Sequence, residues 1–254
     1  MTPESAEAVE PESAGMGEFS RLSGVFFEPG KAFADIAERP RWLVPLLLII
    51  AATVAFYVTY GQHVGWQAYV QDQMDNNARM QQQFQNMSPE QRAQSLALQQ
   101  KLMPVIFYVG PVLGMPLLYL FVSVIVLGIA SGLMSAGVRF KQIFAIECYA
   151  GLVTIVFHAL GIVVMFLKSP DQFNLMNPLA FNPGAFMDQK TASKFTYTLA
   201  SGLDLLAIWA IILTVVGLKA AAGKRLSTAG AVTAVFLPYV VLLLVGAAVA
   251  GAFS

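Results

Sequence analysis

Long uncharged apolar stretches recur along the chain, separated by segments where charged and amide side chains return. A bilayer offers the backbone no water, so a run of roughly 17 to 25 apolar residues forms a helix that satisfies its own N–H and C=O groups. Five such runs are present. The first, 42–60, carries no charge, opens on Trp42 and closes on Tyr57 and Tyr60, amphipathic rings suited to the two interfaces. The second occupies about 110–135 of a charge-free stretch between Lys101 and Arg139. Pro104, Pro111 and Pro116 each remove a backbone donor there, which predicts a bent or tilted entry. The third, 148–167, is bounded by Glu147 and Lys168 and interrupted only by His158. The fourth, 195–218, is apolar except for Asp204, and the stretch after Asp204 is too short to cross alone. The fifth, 229–253, contains Pro238 and Tyr239 and is rich in alanine, glycine and valine. The pattern predicts an all-α membrane protein, a bundle of five transmembrane helices filling 42–254.

The segments between the runs have patterns of their own. In 21–41, Pro29 and Gly30 precede Phe33, Ile36 and Ala37 at helical spacing, which predicts an amphipathic helix lying along the inner membrane surface. Residues 1–20 hold Glu4, Glu7, Glu10, Glu12 and Glu18 without a lysine or arginine, an acidic tail expected to be disordered. They lack the basic start and following apolar stretch of a secretory signal. The outer loop, 62–103, is crowded with glutamine and methionine, good helix formers. Ser88 is placed to cap, Pro89 to take the first helical position and Gln91 to reach back, so a hairpin of helices at about 64–86 and 89–102 is expected.

Composition agrees with this reading and narrows it. The chain has 254 residues, 57% hydrophobic and 12% charged, more apolar side chain than one soluble core of that size uses. Its 15 basic and 15 acidic residues cancel, so there is no bulk electrostatic footprint for nucleic acid. The distribution of basic residues orients the chain. Arg139, Lys141, Lys219, Lys224 and Arg225 crowd two short loops, and Arg21, Lys31, Arg39 and Arg41 precede the first run. Positive charge stays inside, which predicts a cytoplasmic N terminus and an outer C terminus. The single cysteine, Cys148, at the edge of an apolar run, is expected to be a buried structural thiol.

His158 and Asp204 are the ionisable groups inside predicted spans, where a charge is expensive enough to raise a functional question. At one depth they could pair and relay protons. The competing reading is structural: a hydrogen-bonded pair joining two helices, or Asp204 near the outer interface because the fourth span starts late. Arg139, Lys141 and Glu147 form an inner-loop cluster in which Glu147 is an interfacial charge, paired or solvated. Lys219, Lys224 and Arg225 could contact anionic headgroups, but the positive-inside rule already accounts for them. Gly110 with Gly114, Gly128 with Gly132, and Ser131 with Ser135 are small pairs four apart, expected to allow close packing within the bundle in preference to dimerisation. No catalytic pattern is recognisable: no paired histidines at metal spacing, no GxSxG elbow, no phosphate-binding glycine loop. No metal or other cofactor is expected, and the lone intramembrane aspartate argues against an aspartyl protease.

Phe26, Phe27, Pro29, Phe33, Ile36, Pro40, Trp42 and Pro45 resemble the entry segment of the Yip domain family, named for interaction with Ypt and Rab GTPases. Gly137, Phe140, Lys141, Gln142, Ala145, Tyr149 and Ala150 are similar to that family's inner loop and third span. So are Leu203, Asp204, Leu205, Trp209 and Gly217, with Gly223 and Lys224, in and after the fourth span. Many relatives place a proline shortly after the tyrosine, whereas Gly151, Leu152 and Val153 continue without one, which predicts a straighter third span. The resemblance covers about 24–250 and points to the bacterial branch, hence to a plasma membrane. It implies a five-span fold more than an activity; a Rab-type GTPase partner holds only if the analogy transfers.

Together these readings describe a non-enzymatic multi-pass protein acting in membrane organisation, with membrane lipids, other membrane proteins or itself as partners. The alternatives are a small transporter or channel component, marked by His158, Asp204 and the proline-broken spans, and an accessory subunit of a membrane complex. No inverted repeat is evident to favour the transporter.

Overall fold

A computed structural model describes residues 15–189 and 191–252. Regular structure among them is helical throughout, and five helices are long and apolar enough to cross a membrane. Of the expected acidic tail, residues 1–14 lie outside the described residues.

The N-terminal segment holds two helices, α1 (Glu18–Phe27) and α2 (Pro29–Glu38), packed on each other as a hairpin. Glu18, Phe19 and Ser20 therefore belong to a helix and not to a tail. The apolar face of α2 is also placed differently from expectation. Ala32, Phe33 and Ile36 are fully buried, sharing a core with Ile146, Tyr149 and Leu213 of later helices. Protein, not lipid, covers the stripe. The approach is close because Gly217 has no side chain; a Cβ there would collide with Ile146 and Phe33.

A buried ion pair locks the hairpin. Arg21, only 2% exposed, sends Nε to Asp35 Oδ2 at 2.5 Å and Nη1 to the Arg39 carbonyl at 3.2 Å. Burial works against its charge, but the hydrogen bonds and attraction from Asp35 and Tyr149 outweigh it and raise its pKa above the ordinary arginine value. The Met16 N–H donates to Asp35 Oδ1 at 3.0 Å, and the Tyr149 hydroxyl donates to Glu18, tying the hairpin to the bundle.

The first span is α3 (Leu43–His63). Beyond it the expected outer helix at 64–86 is broken into α4 (Trp66–Asp75) and α5 (Ala78–Gln85) at Asn76 and Asn77, the second of which caps α5 through Met80 N at 3.1 Å. Next comes α6 (Pro89–Leu127), where the departure from expectation is larger. Helix and span, expected as 89–102 and 110–135, are one element of 39 residues, about 58 Å long. The Ser88–Gln91 capping box starts it as expected. Pro104, Pro111 and Pro116 lie inside it without ending it, a tolerance common in membrane helices. A π-helical turn, Gly128–Leu133, extends it, and Ser131 Oγ closes the following loop on Val138 N and O at 3.1 and 3.0 Å.

The third span starts well before 148, as α7 (Phe140–Ala150), and continues as α8 (Val153–Leu167). It is interrupted at Gly151 and Leu152 even though no proline stands there. Gly151 lies under the Tyr119 hydroxyl, where a Cβ would collide. The expected fourth span, 195–218, is likewise two helices, α9 (Lys194–Gly202) and α10 (Leu205–Ala222). The crossing element α10 outlasts the predicted end at 218. With the turn after it, it is long and apolar enough to cross by itself, so the stretch after Asp204 is not too short to cross, contrary to expectation. Lys219 Nζ reaches forward to the carbonyls of Gly223 and Leu226, at 3.0 and 2.5 Å, and closes the end of the helix. The last span is α11 (Thr228–Ala252). Cys148 is fully buried against Leu46 and Phe144.

Replacing Arg21 by Ala leaves Asp35 partly buried without its partner, at an expected loss of about 3–5 kcal/mol. The loss falls on hairpin docking, so limited proteolysis of the purified protein should cut between α1 and α3 far faster in Arg21→Ala than in wild type. Equal cleavage rates would show that the pair does not hold the hairpin.

Candidate functional site

An open cavity of about 410 Å3 lies between α3, α6, α8, α10 and the loop that precedes α9, and both intramembrane candidates line it. His158 projects from α8 and is 6% exposed, stacked on Phe56 of α3 with ring centroids 4.8 Å apart. Its Nε2 lies 3.0 Å from Thr53 Oγ1. The threonine settles the tautomer. Thr53 has one hydroxyl proton and donates it to the Ile49 carbonyl at 2.8 Å, so its oxygen accepts from His158 and Nε2 carries the hydrogen. In the neutral ring Nδ1 then presents a lone pair, and that atom is buried without a partner.

Asp204 does different work. It is the N-cap of α10, with Oδ1 accepting from Leu206 N at 2.8 Å and from Ala207 N at 3.3 Å. Oδ2 accepts from Asn182 Nδ2 at 3.3 Å, and Asn182 in turn caps the turn Pro183–Phe186 through Ala185 N at 3.0 Å. A carboxylate at a helix N-terminus faces free N–H groups and the positive end of the dipole, so its charge is met locally. This position is at the end of α10, which is about 27 Å long, and not in its middle. Of the readings open from the sequence, the late start of the fourth span is the one the geometry takes. His158 and Asp204 share a cavity wall, while each has its hydrogen bonds with other residues.

The inner-loop cluster does not hold together. Arg139 and Lys141 are exposed at the start of α7, but Glu147 lies two turns further on, 8% exposed, with Oε1 unpartnered. None of the ion pairs found among the described residues joins it to either cation. The basic loops do meet each other: a Cβ on Gly137 would fall 2.5 Å from Arg225 Nη1. Gln142, in the same region, donates to the Ala37 carbonyl at 2.9 Å and anchors α2. The expected small-residue packing is absent at four positions: around Gly110, Gly114, Gly128 and Gly132 a Cβ would meet nothing within 4 Å. These glycines face outward.

Sequence reasoning passed over Thr53 and Asn182, the partners of the two candidates. Thr53 carried a signal, as a polar side chain in an otherwise apolar run; Asn182 carried none, being one asparagine among several in a loop. Among the described residues no group of three or more histidine, cysteine, aspartate or glutamate side chains could hold a metal ion.

Fold and cavities define a helical multi-span membrane protein. The chain belongs to the Yip1 domain family, whose model matches residues 23–250. No curated protein and no solved structure matches it.

Because Asp204 acts on α10 through its oxygens, Asp204→Asn keeps an acceptor for the cap and Asp204→Ala does not. Thermal unfolding in detergent should place Asp204→Asn within a few tenths of a kcal/mol of wild type and Asp204→Ala about 1 kcal/mol below it. A larger loss in the Asn variant would mean that the charge, or the second oxygen that accepts from Asn182, is structural as well.

Proposed function

We propose that this protein is non-enzymatic and acts in membrane organisation through helix faces that contact lipid and other membrane proteins, including a second copy of itself. One observation carries the reading. The apolar window of the second span, in α6, is only 11% buried, against 22–33% for the other four. Its exposed face carries Gly110 and Gly114 four residues apart, open to approach, with Leu113, Leu117 and Phe121 beside them. Small residues at this spacing let two backbones come close in lipid, where packing rather than hydrophobic burial drives association. The family is not one known for catalysis, which supports the same reading. A Rab-type GTPase partner is not part of the proposal, since no feature of the α6 face calls for one.

Energy transfer between donor- and acceptor-labelled copies in liposomes tests this. Wild type should show transfer above the random level at that protein-to-lipid ratio, and Gly114→Leu should lower it toward random while the protein stays inserted. Random-level transfer in wild type would remove self-association from the reading.

The membrane is proposed to be a plasma membrane, with the N-terminal hairpin and both basic loops in the cytoplasm. Single cysteines at Gln82, Asp188, Lys141 and Lys224, with Cys148 replaced, should label from outside only at the first two positions. External labelling at Lys141 or Lys224 would invert the arrangement.

A further inference from the structure

A second cavity, of about 300 Å3, lies between α6, α7, α10 and α11 and adjoins the one holding His158 at Ala207 and Ala210, which line both. Its wall is apolar apart from Glu147, Thr214 and two tyrosines, Tyr119 and Tyr239. Two of these polar groups are already engaged by the protein. Thr214 Oγ1 donates to the Ala210 carbonyl at 3.0 Å, and the Tyr239 hydroxyl donates to the Gly202 carbonyl. Glu147 is the exception, more than nine-tenths buried with Oε1 lacking any hydrogen bond.

A carboxyl in apolar surroundings is stable only if it holds a proton or meets a positive group. No lysine, arginine or histidine lines this cavity. Arg139 and Lys141, the arginine and lysine nearest in sequence, are exposed at the start of α7, and Lys219 of the neighbouring α10 bonds the carbonyls beyond that helix's end. With no cation of the chain lining the cavity, Glu147 holds a proton unless a positive partner comes from outside the chain. The route is also visible. Leu118 of α6 and Leu242 of α11 both line the cavity and are 56% and 39% exposed on the apolar outer surface. The cavity thus opens sideways, toward the hydrocarbon, and it meets α11 in that helix's central turns.

We infer that this cavity binds an apolar organic molecule carrying one basic amine, taken from the bilayer, with the Glu147 carboxylate as its counter-charge. The rings of Tyr119 and Tyr239 bound the same space and suit an ammonium group, whose charge is attracted to aromatic faces. The volume is at the small end for ligand sites, which favours a compact amine over an acyl-chain lipid.

The test uses the purified full chain in detergent, with 2-phenylethylamine as probe and 2-phenylethanol as its neutral counterpart. Dicyclohexylcarbodiimide adds to a protonated carboxyl in an apolar site and leaves an N-acylurea, which mass spectrometry locates. Glu147 should be labelled. The amine, at about ten times its Kd, should slow labelling about tenfold, and the alcohol should not. The amine should also raise the Tm of wild type and leave that of Glu147→Gln unmoved. Labelling at Glu147 that the amine does not slow, or that the alcohol slows equally, overturns the inference, as does an undiminished amine response in Glu147→Gln. The labelling arm needs no variant, so it decides the matter even if Glu147→Gln fails to fold.

Discussion

The contact on which the rest of the bundle depends is the close crossing of α2 over α7 and α10 at Gly217. Phe33 fills the space that a side chain at 217 would occupy, and Ile146 closes it from α7. Burying a side chain such as Phe33 or Ile36 is worth about 1.5–3 kcal/mol when the alternative is water. The comparison is apt for α2, whose other face exposes Lys31 and Glu38. Within the bilayer that driving force disappears, and the spans associate by close fit. The hairpin thus brings a soluble protein's adhesion to one end of a membrane bundle, where it joins the third and fourth spans.

The hairpin can do this because its polar groups are engaged within it or by α7. Asp35 takes Arg21 and the Met16 N–H, Arg21 also takes the Arg39 carbonyl, and Gln142 of α7 takes the carbonyl of Ala37. The same economy recurs at the span ends. Asp204 starts α10, Lys219 ends it, and Ser131 closes the loop after the π turn. Each supplies a donor or acceptor where a helix end leaves backbone groups without partners. Glu147 stands out against this background as the carboxyl among the few buried side-chain atoms of the described residues left without a partner, the others being Ser123 Oγ, Ser201 Oγ and His158 Nδ1.

The five spans are legible in the sequence because the bilayer imposes a length and forbids charge, and both constraints are written locally. Positions within the bundle are not, because they depend on which face meets which neighbour. The stripe of Phe33 and Ile36 is visibly amphipathic, but lipid and protein are equally apolar, so the stripe alone does not tell one covering from the other. Glu147 and Asp204 show the same limit with charges. Glu147 sits next to basic residues in sequence and so reads as interfacial, yet α7 begins at Phe140 and carries it two turns into the bundle. Asp204 sits in the middle of an apolar run, which suggests depth, yet it marks a helix start. Its capping role is in principle legible: an aspartate preceding an uninterrupted apolar run, with Gly202 just before it, is a helix-boundary signal. The hydropathy of the surrounding run conceals it.

The continuity of α6 has a consequence for α4. Because the helix runs unbroken from Pro89 into the membrane, the part of α6 on which α4 packs is one piece with the second span. Trp66 of α4 stacks on Phe107 of α6 at 4.9 Å, with Tyr69 edge-on to the same ring at 5.1 Å. A lever of this kind couples whatever touches α4 to the exposed glycine face of the same α6 helix within the bilayer. Pro104 precedes Phe107, Pro111 lies between Gly110 and Gly114, and Pro116 follows them, so no proline stands between the α4 contact and the first of the two glycines. Contact at α4 and packing at the glycine face are therefore mechanically linked, while the hairpin stays fixed to α7 and α10.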